Sequence, residues 1–192
     1  MGLGNPGKEY KETRHNIGFQ VIDLLSRELG VRLKNRRFQS RNMRTKMEGK
    51  EIIIFRPSTF MNRSGISIKG CADYYQIEAE KILIIHDDLD LPVGRIKVIR
   101  YGGSGGHKGV QSIIDHLGRS RFPRVKIGIG RPRYEETTED YVLSPFYDNE
   151  RKTMDRVKQV AVQACRLFVS KGVEYLMNNI NRKNYEGKEV KS

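Results

Sequence analysis

A chain of 192 residues with 37% hydrophobic content is long enough for one sizeable core and gives no reason to expect two domains. Its 36 Lys and Arg against 23 Asp and Glu leave a net charge of +13, an excess that suits a polyanionic partner, nucleic acid first, although charge names neither sequence nor site. No run approaches the roughly 18 apolar residues of a membrane span, no signal-peptide pattern opens the chain, and Cys71 and Cys165 lack the close spacing of zinc or redox motifs; a cytosolic protein with reduced, core-lying thiols is expected.

The first nineteen residues gather glycines, Asn5, Asn16 and His15 ahead of a helix in which Val21, Ile22, Leu24, Leu25 and Leu29 keep helical spacing between Gly18 and Gly30. An apolar strand would ordinarily lead into Gly2-Leu3-Gly4. Met1 leaves almost no residues for it, so that strand is very short or the true start lies upstream. Val31 to Met47 is rich in basic residues, and Glu48-Gly49-Lys50 turns into the apolar run Ile52 to Phe55, which predicts a hairpin with its second strand buried. Pro57 ends that strand. Phe60, Met61 and Asn62 then lie on the loop into a helix whose apolar residues are Ile66, Ile68, Ala72, Tyr74, Tyr75 and Ile77.

Lys81 to Ile85 reads as a central strand buried on both faces, with His86-Asp87-Asp88 at its C-terminal end, where open α/β sheets form their sites. A turn at Leu91 to Gly94 precedes a basic strand from Arg95 to Arg100. A glycine-rich loop from Gly102 to Gly109 opens the helix carrying Val110, Ile113, Ile114 and Leu117, and Val125 to Ile129 forms another strand. An amphipathic helix from about Glu150 to Ser170, a shorter one from Val173 to Ile180, and a basic, mobile tail over 181–192 complete the chain. Strands and helices alternate, so the expected class is α/β: one domain over 1–180 with a mixed, mainly parallel sheet flanked by helices.

Gly2-Leu3-Gly4-Asn5-Pro6-Gly7 formally matches G-x-G-x-x-G, but no strand precedes it, the helix begins well after Gly7, and Pro6 removes an N–H that a pyrophosphate would need. A nucleotide-dependent oxidoreductase is therefore a weak reading. The loop from Gly102 to Gly109 lacks the spacing of a nucleoside-triphosphate site, and its N–H groups could meet a phosphate or simply form a rim. No compact ligand set accompanies His86-Asp87-Asp88-Leu89-Asp90, so a carboxylate aimed at a histidine is a simpler use than a metal. His15 is the residue able to take a proton from water near neutral pH.

Five ordered blocks carry a resemblance across nearly the whole chain. They are Gly-Leu-Gly-Asn-Pro-Gly with Tyr10 and Thr13-Arg14-His15-Asn16; Thr59-Phe60-Met61-Asn62-Arg63-Ser64-Gly65; His86-Asp87-Asp88-Leu89-Asp90-Leu91-Pro92 with Gly94; Gly105-Gly106-His107 with Gly109; and Ile127-Gly128-Ile129-Gly130-Arg131-Pro132. Together they resemble the bacterial-type peptidyl-tRNA hydrolases. The resemblance implies an esterase that frees tRNA from peptidyl-tRNA without metal or cofactor, as a monomer, with His15 as catalytic base, Asp87 orienting it, and Asn5 and Asn62 lining the cleft. It further implies that Tyr10, Phe60, Met61, His107 and Lys108 contact the substrate, and that Lys126 with Lys97 or Arg100 clamps the tRNA 5′ phosphate. Lys108 departs from the pattern, standing where many members have an asparagine. A catalytically silent, RNA-binding relative is the alternative, which intact His15, Asp87 and Asn5 argue against.

Overall fold

The buried sheet grows from the most apolar stretches of the sequence. In the computed structural model, which describes residues 1–181, a short 3₁₀ turn (Arg14–Asn16) runs into helix α1 (Ile17–Glu28), followed by the hairpin β1 (Ser40–Met47) and β2 (Lys50–Pro57). Then come α2 (Ser64–Tyr75), β3 (Ile84–Asp88), β4 (Ile96–Ile99), α3 (Lys108–Leu117), β5 (Arg124–Gly128), α4 (Thr138–Leu143) and α5 (Asp148–Ile180). β5 lies between β3, which it pairs in parallel, and β4, which it pairs antiparallel; β1 and β2 form a separate antiparallel ribbon. This is a single α/β domain with a mixed sheet flanked by helices.

Burial explains the strand patterns. Ile84, Ile85, Val125 and Ile127 are fully enclosed, as expected where helices cover both faces of a parallel pair. β4 alternates instead, with Ile96 and Val98 buried and Lys97 exposed. Asn181 covers part of its edge: its Oδ1 accepts from Val98 N at 2.7 Å and its Nδ2 donates to Val98 O at 2.9 Å, which blunts an open strand. The rest of the tail expected to be mobile lies outside the described residues.

The expected first strand is reduced to a bridge. Gly2 pairs in parallel with Ile85, Leu3 N donates to Ile85 O and Ile85 N to Met1 O, both at 2.9 Å, while Gly2 N reaches Phe55 O at 3.2 Å. The opening segment thus joins the hairpin to β3. Glycine is required by close approach: a Cβ on Gly2 would stand 2.1 Å from Gly18 O, and one on Gly18 would stand 2.4 Å from Ile85 O. Those glycines let α1 sit directly on the first residues.

Three expectations need adjustment. The central strand starts at Ile84 and includes His86, Asp87 and Asp88, which lie within β3 rather than beyond it. Tyr74 and Tyr75 are 57% and 37% exposed; α2 packs through smaller residues such as Gly65, Ser67, Cys71 and Ala72, and its last turn projects past the core. The two C-terminal helices are one element kinked at Gly172, whose φ of 82° no interior helical residue adopts. Cys71 and Cys165 are free and buried, and burial pushes both thiols up to about 11, which makes them inert.

Arg14, beside the predicted base, is fully buried. Its Nη1 meets Glu150 Oε2 at 2.7 Å, and its guanidinium lies 4.2–4.9 Å from the rings of Tyr141, Phe146 and Tyr147. Nε and Nη2 have no conventional acceptor, so those π faces take up part of the charge. The pair ties the 3₁₀ turn carrying His15 to the start of α5. Glu150→Ala leaves a buried cation unpaired and is expected to destabilise the fold by about 3–5 kcal/mol, read as a lower urea midpoint.

Candidate active site

A cleft of about 780 Å³ opens at the C-terminal end of β3, lined by Asn5, His15, Asn62, Asp87, His107 and Lys108 among others. The 3₁₀ turn before α1 presents His15, β3 presents Asp87, and the N-terminus of α3 presents His107. Asp87 is buried and accepts from two histidines. His15 Nδ1 lies 3.0 and 2.9 Å from its two oxygens, and His107 Nε2 lies 3.0 Å from Oδ1.

The surrounding backbone determines the tautomers. His107 caps α3, and its Nδ1 accepts from Gly109 N at 3.1 Å and Val110 N at 3.2 Å. An accepting Nδ1 carries no proton, so the proton of His107 sits on Nε2 and is donated to Asp87. His15 likewise donates from Nδ1 to Asp87, which leaves its Nε2 as an unprotonated acceptor. The donor atoms of His15, Asp87 and His107 lie within 4.8 Å of one another, as a metal-binding set would require. Capping of α3 by Nδ1 keeps the His107 Nε2 proton in place, however, and favours a carboxylate served by two donors over a metal triad.

Asn5 is held with similar definition. Its Oδ1 accepts from Met61 N at 2.8 Å, so its Nδ2 is the group left for the cleft. Its backbone is gripped at both polar atoms by Asn16, which accepts from Asn5 N at 2.8 Å and donates to Asn5 O at 2.9 Å. Asn5→Asp keeps an acceptor for Met61 N but replaces the free donor with a negative oxygen. It is expected to lower kcat by about 10²–10³-fold, the effect of deleting one donor to a developing oxyanion, measured with an N-blocked aminoacyl ester of tRNA.

Charge follows the same geometry. Burial would push the His15 pKa down, but the Asp87 charge and the hydrogen bond to it outweigh burial and lift it above the usual 6.5, while Lys108 acts against them. Burial would raise the Asp87 pKa, but the two histidines and their hydrogen bonds hold it well below the carboxylate range. His86, enclosed and beside His107, is kept neutral, its pKa lowered by burial and then by that neighbour. Lys108 stands at the cleft mouth with Nζ 3.7 Å from Glu139 on α4. Lys108→Met removes a cation that opposes protonation of His15, so the acid limb of the pH–kcat/KM profile is expected to move to higher pH.

The remaining predicted residues divide by location. Phe60 is exposed at the cleft rim and meets Tyr10 edge-to-face at 6.5 Å; Asn62 is exposed beside it. Met61 is buried with Leu3, Val110 and Ile113, so its side chain is as much core as cleft floor. Lys126 pairs with Asp88, itself on the cleft wall, and Lys97 sits directly opposite Lys126 in the β4–β5 register. Arg100 is turned to Glu174 at 2.7 Å. Of the two, Lys97 is the register partner of Lys126.

The first glycine motif forms no dinucleotide cradle. Gly2 N, Leu3 N and Asn5 N are engaged by Phe55, Ile85 and Asn16, which removes the basis of the dinucleotide reading. In the second loop, buried Arg124 holds the carbonyls of Gly102 and Gly103, and His107 accepts from the N–H groups of Gly109 and Val110 at the start of α3. The sequence reading missed α4, which supplies Thr138, Glu139, Val142 and Leu143 to the far wall. Thr137 followed three residues later by Asp140 is a helix-start signal that marks it. Asn16 and Arg14 are present in the sequence motif, but their burial has no local sequence signature.

Known proteins resemble this chain over nearly its whole length. The family model described as peptidyl-tRNA hydrolase matches residues 1–188. The chain is 42% identical over 181 residues to the peptidyl-tRNA hydrolase of Geobacillus kaustophilus, covering 94% of this chain and 97% of the relative. It is 41% identical over 184 residues to that of Aquifex aeolicus, covering 96% of each. Among solved structures, a peptidyl-tRNA hydrolase mutant from Acinetobacter baumannii superposes with a TM-score of 0.90 at 41% identity, covering 96% of this chain and 94% of that one. Among the described residues no helix is long and apolar enough to cross a membrane. By family model, sequence identity and fold, the chain belongs to the peptidyl-tRNA hydrolase family, whose activity is hydrolysis of peptidyl-tRNA.

Proposed function

We propose that this chain hydrolyses the ester between a peptide carboxyl and the 3′ ribose of tRNA, acting in the cytoplasm as a monomer. The observation that carries the reading is His15 bound through Nδ1 to a buried Asp87, in the same cleft as the Asn5 amide. Nε2 of His15 takes a proton from water, and the resulting hydroxide attacks the ester carbonyl. Asp87 stabilises the imidazolium, and Asn5 Nδ2 donates to the oxyanion of the tetrahedral intermediate. Collapse breaks the bond to the 3′ oxygen, which takes the proton back from His15. This route needs no serine or cysteine nucleophile.

In the same reading, Phe60 and Tyr10 offer rim surface to the terminal base or the peptide, and Asn62, His107 and Lys108 contact the bound end. Lys126 and Lys97 receive the 5′ phosphate. Like charges paired across two strands are unfavourable without an anion, and Asp88 offsets only part of that repulsion. The test is release of free tRNA from an N-blocked aminoacyl-tRNA in the presence of chelator. Turnover supports the proposal. Tight tRNA binding without turnover would favour the silent, RNA-binding alternative.

A further inference from the structure

The hairpin region carries a charged and aromatic surface with no part in the cleft. From residue 32 to 46 the chain exposes Arg32, Lys34, Arg36, Arg37, Arg41, Arg44 and Lys46 and contains no acidic residue. Arg44 is paired with Glu51, and the nearby Asp73 is held by Lys69; Arg32, Lys34, Arg36 and Arg41 have no ion-pair partner among the described residues. A positive strip without counter-ions is an electrostatic footprint for a polyanion.

Against this strip stands a stacked group. Phe38 lies 5.5 Å from the Tyr74 ring and 6.0 Å from that of Tyr75, and the two tyrosines meet edge-to-face at 4.8 Å. Arg37 lies 4.3 Å over Tyr74 and 5.0 Å over Phe38. The group is held in place by an unusual turn. Phe38 and Gln39 both have positive φ, 57° and 47°, and Ser40 N donates to Arg37 O at 3.1 Å. Two successive left-handed residues suit Asn-Gly far better than Phe-Gln. The strain brings Phe38 within 3.6 Å of the Cβ position at Gly70 on α2, and Ser67 Oγ donates to Gln39 O at 2.9 Å. The turn is fixed to α2 while Tyr74 stays more than half exposed. Large exposed rings beside arginines suit an unpaired base, which offers a π face to stack and a phosphate to each side.

We infer that the strip from Arg32 to Arg41 and the Arg37–Tyr74 stack form a second RNA-binding surface, separate from the cleft, that takes phosphates on its basic residues and stacks an unpaired base on Tyr74. α2 connects the two places: its N-terminal end follows Asn62 and Arg63 at the cleft rim, and its C-terminal end carries the tyrosines. Twelve residues of helix separate them by about 18 Å, a short distance on the scale of a tRNA.

The test uses binding alone and so does not depend on the catalytic assignment. Fluorescence anisotropy follows a labelled deacylated tRNA and a labelled single-stranded RNA decamer at several salt concentrations, with the intact chain, Arg36→Gln/Arg41→Gln and Tyr74→Ala. All these positions are exposed, and unchanged thermal midpoints verify folding. The double variant is expected to weaken RNA binding about tenfold and to flatten the slope of log K against log salt by roughly 1.4–1.8. Tyr74→Ala is expected to weaken the decamer at least about fivefold, while neither variant changes cleavage of a small N-blocked ester lacking tRNA. Loss on tRNA assigns the surface to the substrate; loss on the decamer alone assigns it to another RNA. Unchanged affinity and salt slope for both probes would overturn the inference.

Discussion

Asp87→Asn is expected to lower kcat by about 10⁴-fold, the size of effect seen when the carboxylate orienting a catalytic imidazole becomes an amide. The reason lies in the hydrogen bonds. Asp87 accepts from His15 Nδ1 and from His107 Nε2, and the His107 proton is fixed because its Nδ1 caps α3. An asparagine has one acceptor oxygen, which His107 would take. Its NH₂ would then face His15 Nδ1 and force the proton to Nε2, the nitrogen that must receive one. The pH profile distinguishes this from simple disruption. The charge and hydrogen bond that lift the His15 pKa would be gone, leaving burial and Lys108, both of which lower it. The acid limb is expected above pH 6.5 in the intact chain and below 6.5 in the variant. A rate loss with the limb unmoved would count against the assignment.

Stability responds to the same groups in opposite directions. Asp87 has a folded pKa below its unfolded value, so its contribution is present above the ordinary carboxylate pKa and is lost as pH falls through the lower folded value. His15 has a raised folded pKa, so its contribution is complete below the ordinary 6.5 and is lost as pH rises through the higher folded pKa. Their combined effect favours the fold between those limits.

Much of this was legible in the sequence because the relevant signals are local. The runs around Ile84 and Val125 announce buried strands, and the spacing of Val21, Ile22 and Leu25 announces α1. The site was legible because the resemblance supplied a pairing that spacing could not: His15 and Asp87 lie 72 positions apart. What the sequence hid is tertiary. Arg14 reads as a surface residue until Tyr141, Phe146, Tyr147 and Glu150 are folded around it. Asn16 reads as one polar residue among several until its amide closes on both backbone atoms of Asn5. Tyr74 and Tyr75 match a helical apolar face, but their exposure depends on where α2 outruns its neighbours. The dinucleotide-like glycines show the converse: a familiar spacing in which Gly2 answers the close approach of Gly18.

Deprotonation of the attacking water by His15 is read out by single-turnover release of tRNA. With protein in excess over N-blocked aminoacyl-tRNA, substrate binding is saturated and the measured rate is that of ester cleavage. Loss of a general base in such a step costs about 10²–10⁴-fold. His15→Ala removes a side chain that is only slightly exposed and whose polar contact is to Asp87, so tRNA affinity is expected to persist. A single-turnover rate reduced by about 10²-fold or more is expected, with the acid limb absent from the residual activity. A His15→Ala chain that cleaves at the rate of the intact protein, with its acid limb in place, would contradict this role for His15.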